Sequence, residues 1–386
     1  MSSTVSVKPE LITWAIERSG LPLEELKYPE KIEKWKRGEE QPTLSQLKEF
    51  AKRTMTPLGY MFLSAPPEEK LPIPDFRTIG DTPIGRPSPN LIETIQTMQR
   101  RQAWMLDELI EQGQSELPFI GSLNRAVKIE TAAERIRKKL ALPEDWASRH
   151  STWEDALIAL RDAAEDMGIL VAISGVVGLN NYRHLDPQEF RGFVLCDAYA
   201  PLIFVNGADA KSAQMFTMAH ELAHLWLGYD ALFNLINMQP YDDEREIYCN
   251  QLAAEFLIPG KIFTASWPEV RDDENPYQTL ARRFKVSPLV VARRALDLEM
   301  ISKTKFFIFY NQYQAEWQQQ KLHKKKSGGN FYTTQNVRLG HRFAYAVVCA
   351  TREGRLSYRD AYQLTDLRGD TFDEYAKRLI ERMRNG

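Results

Sequence analysis

Two histidines and a glutamate within five residues, His220-Glu221-Leu222-Ala223-His224, carry the most specific chemical signal in the chain. On a helix, residues four apart share a face one turn apart, so two imidazoles at this spacing can hold one metal ion. The intervening Glu221 then sits where it can act on water at that metal. The neighbours favour a helix. Met215, Met218, Ala219, Leu222, Ala223 and Trp226 recur with roughly helical period, and Gly228 offers a stop.

A catalytic zinc usually takes three protein ligands and leaves one position for water, so a third ligand must come from elsewhere. Asp230 lies where the pattern H-E-x-x-H-x-x-G-x-x-H places its last ligand, but that pattern needs its glycine where this chain has Leu227, one position before Gly228. The other candidates lie on the next predicted helix, Asp243 to Ile258. There Glu246 shares a face with Cys249, Asn250, Ala253 and Leu257, a small or apolar stripe, whereas Glu255 sides with Glu244, Tyr248 and Gln251 and is expected in solvent. A carboxylate on an inward face needs a partner, because burying an unpaired charge is costly. Glu246 is therefore the expected third ligand, with Asn250 one turn on as a supporting partner.

The elements that must position these groups follow from pattern and composition. The 386 residues carry 50 basic and 52 acidic side chains, net −2, which excludes a chain-wide polyelectrolyte but not a local basic surface. Cys196, Cys249 and Cys349 are far apart in sequence, giving no disulfide framework or zinc ribbon. No apolar signal core or membrane-length run is present, so a soluble, cytoplasmic protein without membrane contact is expected. From Gly168 the period shortens: Ile169–Ile173, Gly192–Cys196 and Leu202–Val205 read as strands of a small sheet, with Asp197–Pro201 as a hairpin connection. The expected fold is α+β and predominantly helical.

Five regions are expected. Residues 1–64 form short helices, with a capping-box signature at Thr43-Leu-Ser-Gln46. Residues 65–90 are a proline-rich extended connector, and 91–165 a helical connector with a capping box at Thr131-Ala-Ala-Glu134. Residues 166–300 hold the metal motif and end in a basic helix pair around Val286-Ser287-Pro288. Residues 301–386 form a helical recognition module in which Phe306–Tyr310 reads as a short strand and Lys321–Gly329 as a basic loop. Helices are expected there at Val337–Thr351, Ser357–Thr365 and Thr371–Arg382, the last opened by Thr371-Phe-Asp-Glu374.

Two resemblances rest on quoted residues. Ser19-Gly-Leu-Pro-Leu-Glu-Glu-Leu26 followed by Trp35-Lys-Arg-Gly-Glu-Glu-Gln-Pro-Thr-Leu-Ser-Gln-Leu47 resembles the phage-repressor-like (XRE) helix-turn-helix family, with a shortened recognition helix. Lys31, Lys34, Lys36 and Arg37 could then touch phosphates, which gives weak or non-specific DNA binding. Phe216-Thr-Met-Ala-His-Glu-Leu-Ala-His224 together with Glu246-Ile-Tyr-Cys-Asn-Gln-Leu-Ala-Ala-Glu-Phe-Leu-Ile-Pro259 is similar to the ImmA/IrrE metallopeptidases. That resemblance implies a zincin-like sheet-and-helix domain in which His220, His224 and Glu246 hold Zn²⁺ and Glu221 is the catalytic base.

The implied function is a zinc endopeptidase that cleaves a regulatory protein, either a repressor or a toxin–antitoxin partner in a stress response. Its substrate peptide is expected to pair with an edge strand at Gly192–Cys196 or Leu202–Val205. Tyr182, Arg183, His184 and Tyr241 are the candidate oxyanion stabilisers. The competing reading is a non-enzymatic DNA-binding regulator or antitoxin with a structural or sensory zinc domain.

Overall fold

The computed structural model describes residues 4–69, 71, 73, 87–233, 244–321 and 331–385. The chain divides into two compact units, one of Met1–Pro72 with Thr82–Gln96 and the other of Ile73–Asp81 with Thr97–Gly386. Most of the proline-rich connector and of the basic loop lies outside the described residues.

In the first unit, α1 (Pro9–Ser19), α2 (Pro29–Lys36) and α3 (Leu44–Arg53) enclose a core of Leu11, Ile12, Ala15, Ile32, Trp35, Leu47 and Phe50. Proline opens α1 and α2, where its missing N–H costs nothing, and Gly20 closes α1 at φ 64°. The capping box at Thr43 and Gln46 is formed. Between α1 and α2, where one of the short helices of residues 1–64 would fall at Leu21–Tyr28, the chain makes only a single 3₁₀ turn at Leu23–Glu25.

Helix α4 (Pro89–Glu111) carries the chain past Gln96. In the second unit α5 (Ile129–Lys139) starts two residues before the expected capping box, so Thr131 lies inside its first turn. Helix α6 (Trp153–Asp166) is opened by a capping box between Thr152 and Asp155. A four-stranded sheet follows, made of β1 (Leu170–Ser174), β4 (Gly192–Leu195), β5 (Leu202–Asn206) and β6 (Ala231–Phe233). A separate polar hairpin holds β2 (Val176–Val177) and β3 (Asn180–His184). The strand order is β1-β5-β4-β6, parallel between β1 and β5 and antiparallel elsewhere. Strands β4 and β5 are therefore interior, and among the described residues the edges of the sheet are β1 and β6. This corrects the expectation that a peptide could pair with Gly192–Cys196 or Leu202–Val205, whose backbone groups already serve the ladder.

Helix α7 (Lys211–Leu227) is buried without interruption from Gln214 to Leu227 and packs on β4, β5 and β6. Such a helix is apolar nearly all round because both sheet and helices cover it. Its chief helical neighbour is α8 (Glu244–Leu257), which in turn packs on α5. Helices α9 (Gly260–Val270), α10 (Pro276–Phe284) and α11 (Pro288–Asp297) complete this core.

The expected strand at Phe306–Tyr310 is instead part of helix α12 (Lys303–Lys321). Phe306, Phe309, Tyr310 and Tyr313 recur at helical spacing and pack against the core, which decides between the two readings of an apolar run. The helix expected over Val337–Thr351 is broken at Gly340 into α13 (Phe331–Leu339) and α14 (His341–Arg352). Gly340 has φ 79°, and a Cβ there would fall 2.4 Å from the Val171 carbonyl oxygen. Last come α15 (Tyr358–Thr365) and α16 (Asp370–Asn385), the latter starting one residue before the expected capping position at Thr371. The architecture is thus α+β, predominantly helical, with a small mixed sheet.

Candidate metal centre

His220, Glu221 and His224 come from the middle and last turns of α7, and Glu246 from the first turn of α8. Packing of α7 on α8 brings three side chains to one point. His220 Nε2 and His224 Nε2 are 3.0 Å apart. Glu246 Oε2 lies 3.2 Å from His220 Nε2, and its Oε1 lies 3.1 Å from His224 Nε2. Ligands about 2 Å from a tetrahedral centre stand roughly 3.3 Å apart, so these separations fit a single metal ion. All three residues are at most 2 % exposed. Two imidazole nitrogens and a carboxylate converging on one dry point form a donor set that suits a divalent cation. Among the described residues no other three His, Cys, Asp or Glu side chains converge in this way.

The electrostatics follow from burial. Burial works against ionisation of Glu246, but the two imidazoles beside it prevail and hold its carboxyl below the usual carboxylate range. Burial depresses His220, with Glu246 and Asn250 pulling the other way. Glu221 is fully buried, and burial, reinforced by the Glu246 charge, pushes its carboxyl well above the ordinary value. Neither Glu221 oxygen has a hydrogen-bond partner among the described residues. A buried carboxylate with no structural partner is rare and marks a place where chemistry or an absent ligand completes the site.

Comparison with known families bears on this same stretch. Residues 164–296 match the IrrE N-terminal-like domain, of peptidase family M78. The match runs from the end of α6 through α11 and contains every residue of the centre. It supports the ImmA/IrrE resemblance and a metallopeptidase-type function for the central region. Residues 339–378, from the end of α13 into α16, match a domain of unknown function. No curated protein matches the chain.

The remaining candidates separate clearly. Asn250 lies one turn beyond Glu246 and acts on the His220 imidazole, although its Oδ1 makes no hydrogen bond of ordinary geometry. Asp230 is outside the cluster, because its Oδ1 accepts the Cys196 N–H at the end of β4. Glu255, expected in solvent, is 6 % exposed. It is ion-paired with Arg294 of α11 and accepts the Gly260 N–H, while Arg137 donates to its backbone carbonyl. The solvated-face reading therefore fails for Glu255, which a tertiary partner brings inside, while Glu244 and Gln251 of the same face stay exposed. Arg294 is spent on this pair, Arg293 on Asp297 and Arg283 on Ser266, so the α10–α11 pair closes the core and offers few free cations. Tyr182, Arg183 and His184 lie on β3 in the separate hairpin, Tyr182 being 95 % exposed, and Tyr241 lies outside the described residues. Gly192, at the start of β4, was not singled out by sequence reasoning, yet it abuts Glu221: a Cβ built on it would stand 3.1 Å from Glu221 Oε1.

Proposed function

We propose that the chain is a zinc-dependent endopeptidase that cleaves an intracellular regulatory protein, a repressor or a toxin–antitoxin partner. The observation that carries the reading is the convergence of His220, His224 and Glu246 beside a buried, unpartnered Glu221. When bound, zinc supplies Lewis acidity that makes water nucleophilic near neutral pH and polarises a carbonyl. His220, His224 and Glu246 would hold the ion. Asn250 steadies the His220 ring and so its approach to the metal. Glu221 takes the proton of the attacking water at a carboxylate oxygen and returns it to the leaving amine nitrogen. Of the two sheet edges, β6 pairs with the strand that begins beside Glu221, with Gly192 opposite Phe233, which makes β6 the natural edge for a substrate backbone.

A second reading, a non-enzymatic regulator with a structural zinc, is favoured by the near-complete burial of the cluster. Against it stands Glu221, since a structural centre needs ligands but no base. Co-incubating the purified protein with any repressor, toxin or antitoxin found to be encoded beside it separates the two. The peptidase reading expects cleavage by wild type and none by Glu221→Gln; equal behaviour of the two proteins rejects it.

A further inference from the structure

Gly192 opens β4 with all the space around it taken. A methyl group built there would stand 2.5 Å from Thr217 Cγ2, 2.8 Å from the Phe204 carbonyl oxygen and 3.1 Å from Glu221 Oε1. Its backbone is not in the left-handed region, so glycine is present here for close approach and not for conformational freedom. Thr217 lies one turn before Glu221 on α7, is 1 % exposed, and ties its Oγ1 to the Ala213 carbonyl at 3.1 Å. A β-branched side chain fixed in this way on a helix yields little.

Glu221 itself has no hydrogen bond to orient its carboxylate among the described residues. Oε1 stands 3.1 Å from the point where a side chain on Gly192 would begin. We propose that Gly192 is a positioning residue: its missing side chain lets β4 run flush against α7 and forms the wall that sets where the Glu221 carboxylate stands. This rests on the reading of Glu221 as the base. A displacement of about 1 Å at a reacting group can cost roughly a hundredfold in rate, so a wall of this kind matters even though it makes no bond.

The test uses zinc-loaded full-length protein and acetohydroxamic acid as the probe. This acid chelates a metal through two oxygens and gives its proton to an adjacent carboxylate, so its affinity reports where that carboxylate is. The variant is Gly192→Ala combined with Thr217→Ser, which removes the 2.5 Å clash with Thr217 Cγ2 and leaves the methyl against the Phe204 carbonyl oxygen and Glu221 Oε1. It should stay folded and keep one equivalent of zinc, yet bind the probe at least about tenfold more weakly, as Glu221→Gln should. Thr217→Ser alone should stay within about threefold of wild type. Wild-type affinity in the double variant, or loss of zinc together with the probe, overturns the assignment, the second outcome meaning a merely structural glycine. In case the added methyl prevents folding, Glu221→Asp withdraws the carboxylate from the same wall; it should keep zinc and lose a similar factor, and unchanged affinity would contradict the proposal. Wild-type protein that takes up no zinc would instead remove the peptidase reading, and this inference with it.

Discussion

The α7–α8 centre and the N-terminal three-helix unit both carry polar side chains that sequence alone marks as functional, yet they treat charge in opposite ways. On α2 the cations are answered locally: Lys34 pairs with Glu40 at 2.6 Å, Lys36 with Glu33 at 2.7 Å, and Arg37 reaches Glu33 and Glu39 at 3.9 and 3.8 Å. The Lys31 ammonium rests over the Tyr28 ring, 5.9 Å from its centroid. A DNA phosphate would have to displace these partners. At the centre, by contrast, Glu221 is sealed from water and nothing among the described residues answers it. Solvated pairs on a surface cost little and signify little. Buried polar groups left open are expensive, and chains keep them where they are used.

That contrast can be broken at several points. The largest effect is expected at Glu221: Glu221→Gln should lower the cleavage rate of a substrate by about 10²–10⁴ while zinc content stays unchanged, and a smaller loss would mean another group takes the proton. Next is Glu255→Ala, which strands Arg294 in the core and should lower the unfolding free energy in urea by about 3–5 kcal/mol; a near-neutral result would place Glu255 back on the solvated face.

A pH-dependent effect follows at Glu165. Burial, partly offset by Arg161, lifts its carboxyl from 4.5 to about 7. A carboxyl raised on folding contributes stability below its unfolded pKa and loses it as pH climbs through the folded value. Wild type should therefore lose stability relative to Glu165→Gln between pH 4.5 and 7, by up to about 3 kcal/mol in urea titrations, and a flat difference would contradict the burial account. The smallest effect concerns the surface of α2. Glu33→Gln with Glu40→Gln frees Lys36 and Lys34, and should steepen the salt dependence of non-specific duplex binding by up to about two units in log–log slope. No change would mean that this face does not meet DNA at all.

How much of this was legible depended on whether partners were near in sequence. The α7 motif was readable because its two histidines lie one turn apart, and Glu246 could be placed inward from the small residues sharing its face. Glu255 was misplaced because the residue that brings it inside, Arg294, is 39 positions away on another helix. Phe306–Tyr310 is apolar at every position, so strand and helix fit equally until Tyr313 extends the helical stripe. Thr131 and Thr371 carry the capping-box pattern yet lie inside first turns, because that pattern also suits a helix begun a residue or two earlier. Strand β6 was too short to register, and the edges of the sheet were misassigned with it. Gly192 gave no signal at all, since its contacts come from β5 and α7, elements that meet it only in the fold.

On the proposed reading, α8 supplies the third metal ligand through Glu246 and not through Glu255. Elemental analysis of purified protein after dialysis against a weak chelator tests it most directly. About one equivalent of zinc should remain in wild type and in Glu255→Gln, and none in Glu246→Ala. Zinc retained without Glu246, or lost from Glu255→Gln while that variant stays folded, would contradict it.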